Sequence, residues 1–541
     1  MTTDFFAGLS EALLQKYPDK GVHPEQITGA VKTALEPESL INALAEVFRT
    51  TPGEMEAFLE ENGLADMIAR MRLSAGGGEA AGLEEASFCR REDRLHPFDS
   101  LFRFYSSPSA TEVAPLPAGL HGQLRGLSEE IAASAATDPF IGLYRTGTEA
   151  YFGEFMDSLA PVITEETERL FGARGPRYLV TTGIGANEQF CHYMAAVNNR
   201  DPHRKLDWIL IHSPGSLDLL PPDAREDNTL FLEFSRSSVT EETIKLHEYT
   251  GRNCRRIVFS NGGGLKALAE RDGNLVLSMP DAISGRYGRN KTPILLAPML
   301  AAGMDVRRYW GMISRAMQAF DPGDPDSLPH VLARFILAAQ KSRGTDFIYL
   351  GCGDETLGLL GDEFIQFWNE GVNKNGNDLL MSRFFGLPRD SHMNLEGVLG
   401  NRQTKLGIFL LRSSRRGEIA HPLVHAQLDP IDPEHGGLEL GDEEVILALA
   451  NYRRFSEVMP SVLLEIVGMP GADHSAVLGQ LFADVTFVYS RMMGIDPGSN
   501  PEVKFVRQRS AALLKGFARE LRAGREIQEL FRAEAQRKPE V

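Results

Sequence analysis

Apolar positions along the chain keep two different rhythms. Up to about residue 72 they recur at three- and four-residue spacing, as in SLINALAEVF (39–48) and GEMEAFLEENGLADMIARM (53–71), which predicts polar-faced helices. Ser74-Ala75-Gly76-Gly77-Gly78 then breaks the pattern and reads as a linker. From about residue 176 short apolar runs take over: RYLVTTGIG (177–185), DWILIHS (207–213), TLFLEFS (229–235), RRIVFSN (255–261) and NLVLSMP (274–280). Helical or loop stretches separate them, among them ANEQFCHYMAAV (186–197). A second such unit starts at TDFIYLG (345–351), continues through the helical ETLGLLGDEFIQFWNE (355–370) and returns to the strand KLGIFLLRS (405–413). Short buried runs alternating with helices predict parallel sheets covered on both faces. From about residue 441 the chain reads as mostly helical and ends in the polar REIQELFRAEAQRKPEV.

Composition narrows the function classes. A chain of 541 residues is long enough for two or three domains. The expected division is a helical accessory region (1–95), a first α/β domain (96–330), a second (331–500) and a C-terminal helix and tail (501–541). A net charge of −18, with no Lys/Arg-rich run, argues against non-specific nucleic-acid binding. It does not forbid an anionic ligand in a local basic pocket. Cys89, Cys191, Cys254 and Cys352 show no metal or redox spacing and are expected to be reduced thiols in a cytoplasm. The N-terminus lacks the pattern of a signal peptide, and no apolar stretch reaches about 18 residues, so no membrane span is expected.

Two strand-to-helix corners carry candidate chemistry. EFSRSSVTEET (233–243) places Ser235, Ser237, Ser238 and Thr240 around Arg236 at the start of a helix. Unpaired N–H groups and partial positive charge at a helix start, with hydroxyls beside them, suit a phosphate. Ordinary capping by Ser and Thr explains the same residues without a ligand. At the second corner, Gly183-Ile184-Gly185-Ala186-Asn187 ends a strand, and its glycines let backbone approach a ligand. Glu188 stands where a dinucleotide fingerprint would continue toward its last glycine, so that reading is weak.

Six stretches, in order, resemble the phosphoglucose isomerase family, especially its bacterial branch found fused to transaldolase. VTTGIGAN resembles the first glycine loop and FSRSSVTEET the phosphate loop. ISGRYGRN (283–290) resembles the Gly-Gly-Arg-Phe/Tyr-Ser signature, and QFWNEGVNKNGND (366–378) the Glu-Ser-x-Gly-Lys segment. RDSHMNLEG (389–397) resembles the Asp-Gln-His loop, and IDPGSNPEVKFVRQ (495–508) the C-terminal segment that carries a lysine. They span about residues 140 to 515. The first 95 residues have no counterpart and are too short for a transaldolase barrel, which needs roughly 250 residues.

The resemblance implies two αβα sandwiches of the sugar-isomerase type and an aldose–ketose isomerase of glucose 6-phosphate and fructose 6-phosphate. Ser235, Arg236, Ser237 and Thr240 would hold the sugar phosphate, and Gly185, Asn187 and Asn500 would line its site. Glu370 would move the proton between C1 and C2, Arg286 would stabilise the enediolate, and His392 would assist ring opening. Arg507 stands at the family's ring-opening lysine. No metal or redox cofactor is implied, and a homodimer is. The chemistry is coherent in itself: a carboxylate shuttles the proton, a cation meets the developing charge, and a histidine titrates near neutrality.

Plainer readings stand beside these. Glu370 could be a solvated helix-end charge, Arg286 could pair with Asp281, and His392 is one of thirteen histidines. His421 and His425 are four apart, but Pro422 interrupts any helix between them, which favours a structural role over metal binding. The pattern also departs from the family at Asn187, Arg236, Val239, Ser284, Gly288, Asn373 and Arg507. Arginine keeps the lysine's charge but does not readily release a proton. An isomerase of another anionic hexose, such as a sulfonated one, and a catalytically silent sugar-phosphate binder are the alternatives.

Overall fold

The structure is a computed structural model. It describes residues 101–106, 151–183, 189–235, 241–279, 285–320, 326–374, 379–384, 404–415, 438–498 and 501–536, with Leu44, Val47, Thr50, Phe98, Gly126, Asp324 and Asn377. The N-terminal arm and its linker lie outside these, apart from Leu44, Val47 and Thr50.

In chain order the elements are β1 (Phe102–Ser106), α1 (Ala160–Phe171), β2 (Tyr178–Thr182), α2 (Gln189–Arg200), β3 (Asp207–Ile211) and β4 (Thr229–Phe234). Next come α3 (Glu241–Tyr249), β5 (Arg255–Phe259), α4 (Gly263–Arg271), β6 (Leu275–Leu277), the single turn α5 (Gly285–Gly288) and α6 (Pro293–Ala301). They are followed by α7 (Val306–Ala319), α8 (Leu328–Arg343), β7 (Phe347–Cys352), α9 (Glu355–Val372), β8 (Leu380–Phe384) and β9 (Lys405–Arg412). The chain closes with α10 (Leu440–Val458), β10 (Ser461–Ile466), α11 (Ala472–Met492), α12 (Pro501–Arg522) and α13 (Ile527–Ala535).

The first sheet has the order β3-β2-β4-β5-β6 and is parallel throughout. All residues of β2 and β4 are buried, as strands covered on both faces must be. One face, with Leu179, Leu230, Leu232, Ile257 and Phe259, joins the main core. The other carries Val180, Ile211 and Phe231 against Leu246 of α3, and Val258 against Leu265 and Ala269 of α4. The second sheet, β1-β10-β9-β7-β8, is parallel except at its edge, where β1 runs antiparallel to β10. Its outer face packs Phe409, Leu411 and Leu463 on Tyr452 and Phe455 of α10.

Both inner faces share one core. Its axis is α11, buried continuously from His474 to Ser490. It buries polar residues as well as apolar ones, and Gln480 Nε2 donates to Asp484 Oδ2 at 2.8 Å inside the core. α7, α8 and α9 pack against it, and α2 crosses to pack on α9. The two sheets are therefore joined through a common helical layer.

The apolar rhythm announces the strands at 178–182, 207–211, 229–234, 255–259, 275–277, 347–352 and 405–412, and passes over three. β10 lies where mostly helix is expected, because its apolar core Val462-Leu463-Leu464 is too short for a period and pairing with β9 and β1 makes it a strand. β8 likewise exists through β7. β1 falls within residues 96–330, yet it belongs to the second sheet. Arg103 stands opposite Glu465 in register, and the Tyr105 hydroxyl donates to Glu465 Oε2 at 2.6 Å. No described helix is long and apolar enough to cross a membrane.

Candidate active site

The topology singles out one crevice. From β2 the chain goes to β3 on one side and then crosses to β4 on the other, so the direction of winding reverses between β2 and β4. Ligands of open parallel sheets sit outside the carboxyl ends of the strands at such a switch point. The glycine corner follows β2 and the hydroxyl corner follows β4, and the two strand ends are register neighbours, Thr182 opposite Glu233. Ser235 is buried at the mouth of this crevice. Its N–H donates to the Phe259 carbonyl at 3.0 Å, and its carbonyl accepts from Ser260 Oγ at 3.1 Å. Gly185, Asn187, Arg236, Ser237 and Thr240 lie outside the described residues.

A buried charge network stands directly behind the crevice. Glu233, two residues before Ser235, accepts from Arg256 Nη1 at 2.8 Å and lies 2.6 Å from His247 Nδ1 of α3. The other ring nitrogen of His247 is 3.4 Å from Asp272. The hydrogen bond from Arg271 holds the Asp272 carboxyl down at about 2, although burial pushes the other way. The network pins α3 to β4 on either side of the hydroxyl loop. Its signal in the sequence is Glu233 itself, a carboxylate inside an otherwise apolar strand.

The second part of the site is the end of α9. This helix starts on Asp354, whose Oδ1 accepts from Leu357 N at 2.8 Å, and buries Leu357, Leu360, Phe364, Phe367, Trp368 and Val372. Glu370 falls on the half-buried face and accepts from Gln366 Nε2 at 2.9 Å. Its neighbours are fixed one by one. Trp368 Nε1 donates to the Leu379 carbonyl at 2.9 Å, and Asn369 bonds both the carbonyl and the N–H of Met381 on β8, at 2.8 and 2.9 Å. Ser490 Oγ of α11 donates to the Gly371 carbonyl at 3.4 Å.

Three of the resembling segments meet here, with the start of α2 beside them. Tyr287, next to Arg286 on α5, stacks on Phe367 at 5.3 Å, and its hydroxyl lies 2.6 Å from where a Cβ on Gly371 would sit. Phe190, just past the glycine corner, packs edge-on against the same Phe367 at 6.2 Å. Lys374 Nζ donates to the Asp496 carbonyl at 3.0 Å, tying in the C-terminal segment. The backbone of Arg286 thus lies within one residue of a contact with the Glu370 turn. Arg507 lies on α12. The side chains of both arginines lie outside what is described, as do all of His392 and Asn500.

A chain of amides closes the turn after Glu370. The Tyr489 hydroxyl donates to Gln340 Oε1, Gln340 Nε2 donates to Asn377 Oδ1 at 2.7 Å, and Asn377 Nδ2 donates to the Val372 carbonyl at 3.1 Å. Burial pushes the Tyr489 phenol above its ordinary range, so it remains a donor. Asn373, which departs from the family pattern, has φ −78° and ψ 78°, outside the left-handed region that favours glycine. None of Tyr287, Gln340, Asn377 or Tyr489 is legible as a site residue in the sequence, since each acts from a separate element.

No protein-family model matches the chain. A glucose-6-phosphate isomerase of Methanocaldococcus jannaschii is 22% identical over 274 residues, which is 51% of this chain. The chain spans 63% of the length of that relative. A solved glucose-6-phosphate isomerase of Chlamydia trachomatis superposes with a TM-score of 0.60 at 13% identity, over 84% of this chain and 96% of that one. A hypothetical protein of Thermus thermophilus also gives 0.60, at 18% identity, over 76% of this chain and all of its own. The fold is thus a pair of αβα sandwiches of the sugar-isomerase type, and the sequence is distantly similar to a glucose-6-phosphate isomerase.

Proposed function

We propose that the protein is an aldose–ketose isomerase that interconverts glucose 6-phosphate and fructose 6-phosphate. The observation that supports this reading is the convergence of the Arg286 turn, the start of α2 and the C-terminal segment on the end of α9 that bears Glu370, beside a crevice suited to an anion. The carboxylate of Glu370 takes the proton from C2 of the open-chain aldose and returns it to C1. The proton on the C2 hydroxyl passes to the C1 oxygen, so no net oxidation occurs. Arg286 faces the oxygen on which the enediolate charge develops, where a fixed cation acts most strongly. Ser235, with Arg236, Ser237 and Thr240, grips the phosphate, and Gly185, Asn187 and Asn500 line the sugar. His392 opens the ring. Arg507 supplies charge in place of a lysine but not an easily released proton. A homodimer in solution belongs to the same reading.

The test is a coupled assay of fructose 6-phosphate conversion on the purified protein beside a Glu370→Gln variant. The amide keeps the shape and the Gln366 contact but cannot accept the proton. Turnover is expected in the parent and to fall about 10²–10⁴-fold in the variant. Saturable sugar-phosphate binding with no turnover in the parent would sink the reaction and leave a substrate with a different anionic group, or a silent binder.

A further inference from the structure

Two buried hydroxyls at the crevice have no assigned role. Thr182 and Thr243 are 2% and 1% exposed, and among the described residues neither hydroxyl has a hydrogen-bond partner. Buried hydroxyls are ordinarily paired, and an unpaired one is a standing destabilisation. Their positions are informative. Thr182 is the last residue of β2 and stands opposite Glu233 in a parallel register, so the two side chains share a face of the sheet. That face is the one covered by α3, since Glu233 reaches His247 and Val180 packs on Leu246. Thr243 lies four residues before His247 on the same stripe of α3, about 6 Å nearer the helix start. Both hydroxyls thus belong at the carboxyl edge between β2 and β4, where α3 begins and Ser235 is buried.

We propose that Thr182 and Thr243 form the inner wall of the anion site and donate their hydroxyls to the phosphate group of the substrate. This deepens the reading above and rests on it for the identity of the ligand. A helix start supplies free N–H groups and partial positive charge, and the two threonines add donors from the side and from below. Valine has the same shape as threonine without the hydroxyl, which makes it the natural probe.

The experiment is calorimetric titration of the full chain with inorganic phosphate, comparing the parent with Thr182→Val, Thr243→Val and Thr182→Ser. Urea unfolding of each protein runs in parallel. Each valine variant is expected to bind phosphate about ten-fold or more weakly, as loss of a hydrogen bond to a charged group implies. Its unfolding midpoint should stay level or rise, because an unpaired buried hydroxyl has been removed. Thr182→Ser keeps the hydroxyl and should bind within a few-fold of the parent. Valine variants that bind phosphate like the parent would overturn the proposal and make the hydroxyls structural remnants. A parent that binds no phosphate would overturn it too, with the anion site itself. Weakened binding in the variants without any turnover of sugar phosphate would sink the isomerase reading and leave this assignment standing.

Discussion

Gly371→Ala tests how closely the proposed base, Glu370, is positioned. A Cβ at residue 371 would lie 2.6 Å from the Tyr287 hydroxyl and 2.7 Å from Thr486 Cγ2. Neither neighbour yields easily: the Tyr287 ring is stacked on Phe367, and Thr486 Oγ1 is held by the Phe482 carbonyl at 2.8 Å. Overpacking of this kind costs about 1–3 kcal/mol. Alanine returns about 1 kcal/mol through helix propensity. The net loss of stability is therefore modest, about 0–2 kcal/mol. The effect on turnover should be larger, because the extra methyl drives apart the turn carrying Glu370 and the turn carrying Arg286. A displacement near 1 Å can cost about 10²-fold. The assay is kcat on fructose 6-phosphate with urea unfolding alongside. Tyr287→Phe and Thr486→Ser added to Gly371→Ala remove both obstructing atoms, and the nearest remaining one, Tyr287 Cζ, is at 3.9 Å. That triple variant should recover most of the lost kcat relative to Tyr287→Phe/Thr486→Ser alone. A Gly371→Ala protein as active as the parent, or a triple variant no better than the single one, would refute the steric argument.

Three other outcomes follow from the buried networks. Arg256→Met leaves Glu233 without its cation in the interior and should destabilise by about 3–5 kcal/mol, read as a lower denaturation midpoint; Glu233→Gln in that background should recover part of it. The folded-state carboxyl of Asp272 sits at about 2, below its ordinary 3.8, so its stabilisation is complete above about pH 5 and disappears as the pH falls through 2. Asp272→Asn should remove that share of the acid dependence, and an unchanged acid limb in the variant would count against the pairing. Asn377→Ala cuts the link from Gln340 to the Val372 carbonyl; it should lower kcat with little change in KM and cost about 1–3 kcal/mol in unfolding.

The pattern of apolar runs contains much of the fold. Central strands such as TLFLEF and YLVTT are buried on both faces, and a run buried on both faces must be apolar nearly throughout. The same logic makes Glu233 conspicuous, though not the rest of its network, because Arg256, His247 and the Asp272 that meets His247 come from three later positions along the chain. The strands β1, β8 and β10 escape the pattern, since each is short and is defined by the neighbour that pairs with it.

The sequence by itself determined the class of the fold, the two corners with loop chemistry and the candidate base, because strand burial, turn-forming residues and short motifs are local properties. Only the tertiary structure decided which of those pieces lie near one another. It set the switch point between β2 and β4, laid Tyr287 against Gly371 and brought Asp496 to Lys374. Residues 287, 371 and 496 are far apart in the chain, and no local preference specifies which helix faces meet. Packing around α11 makes that choice, because α7, α8 and α9 gather on it and bury it on every side from His474 to Ser490.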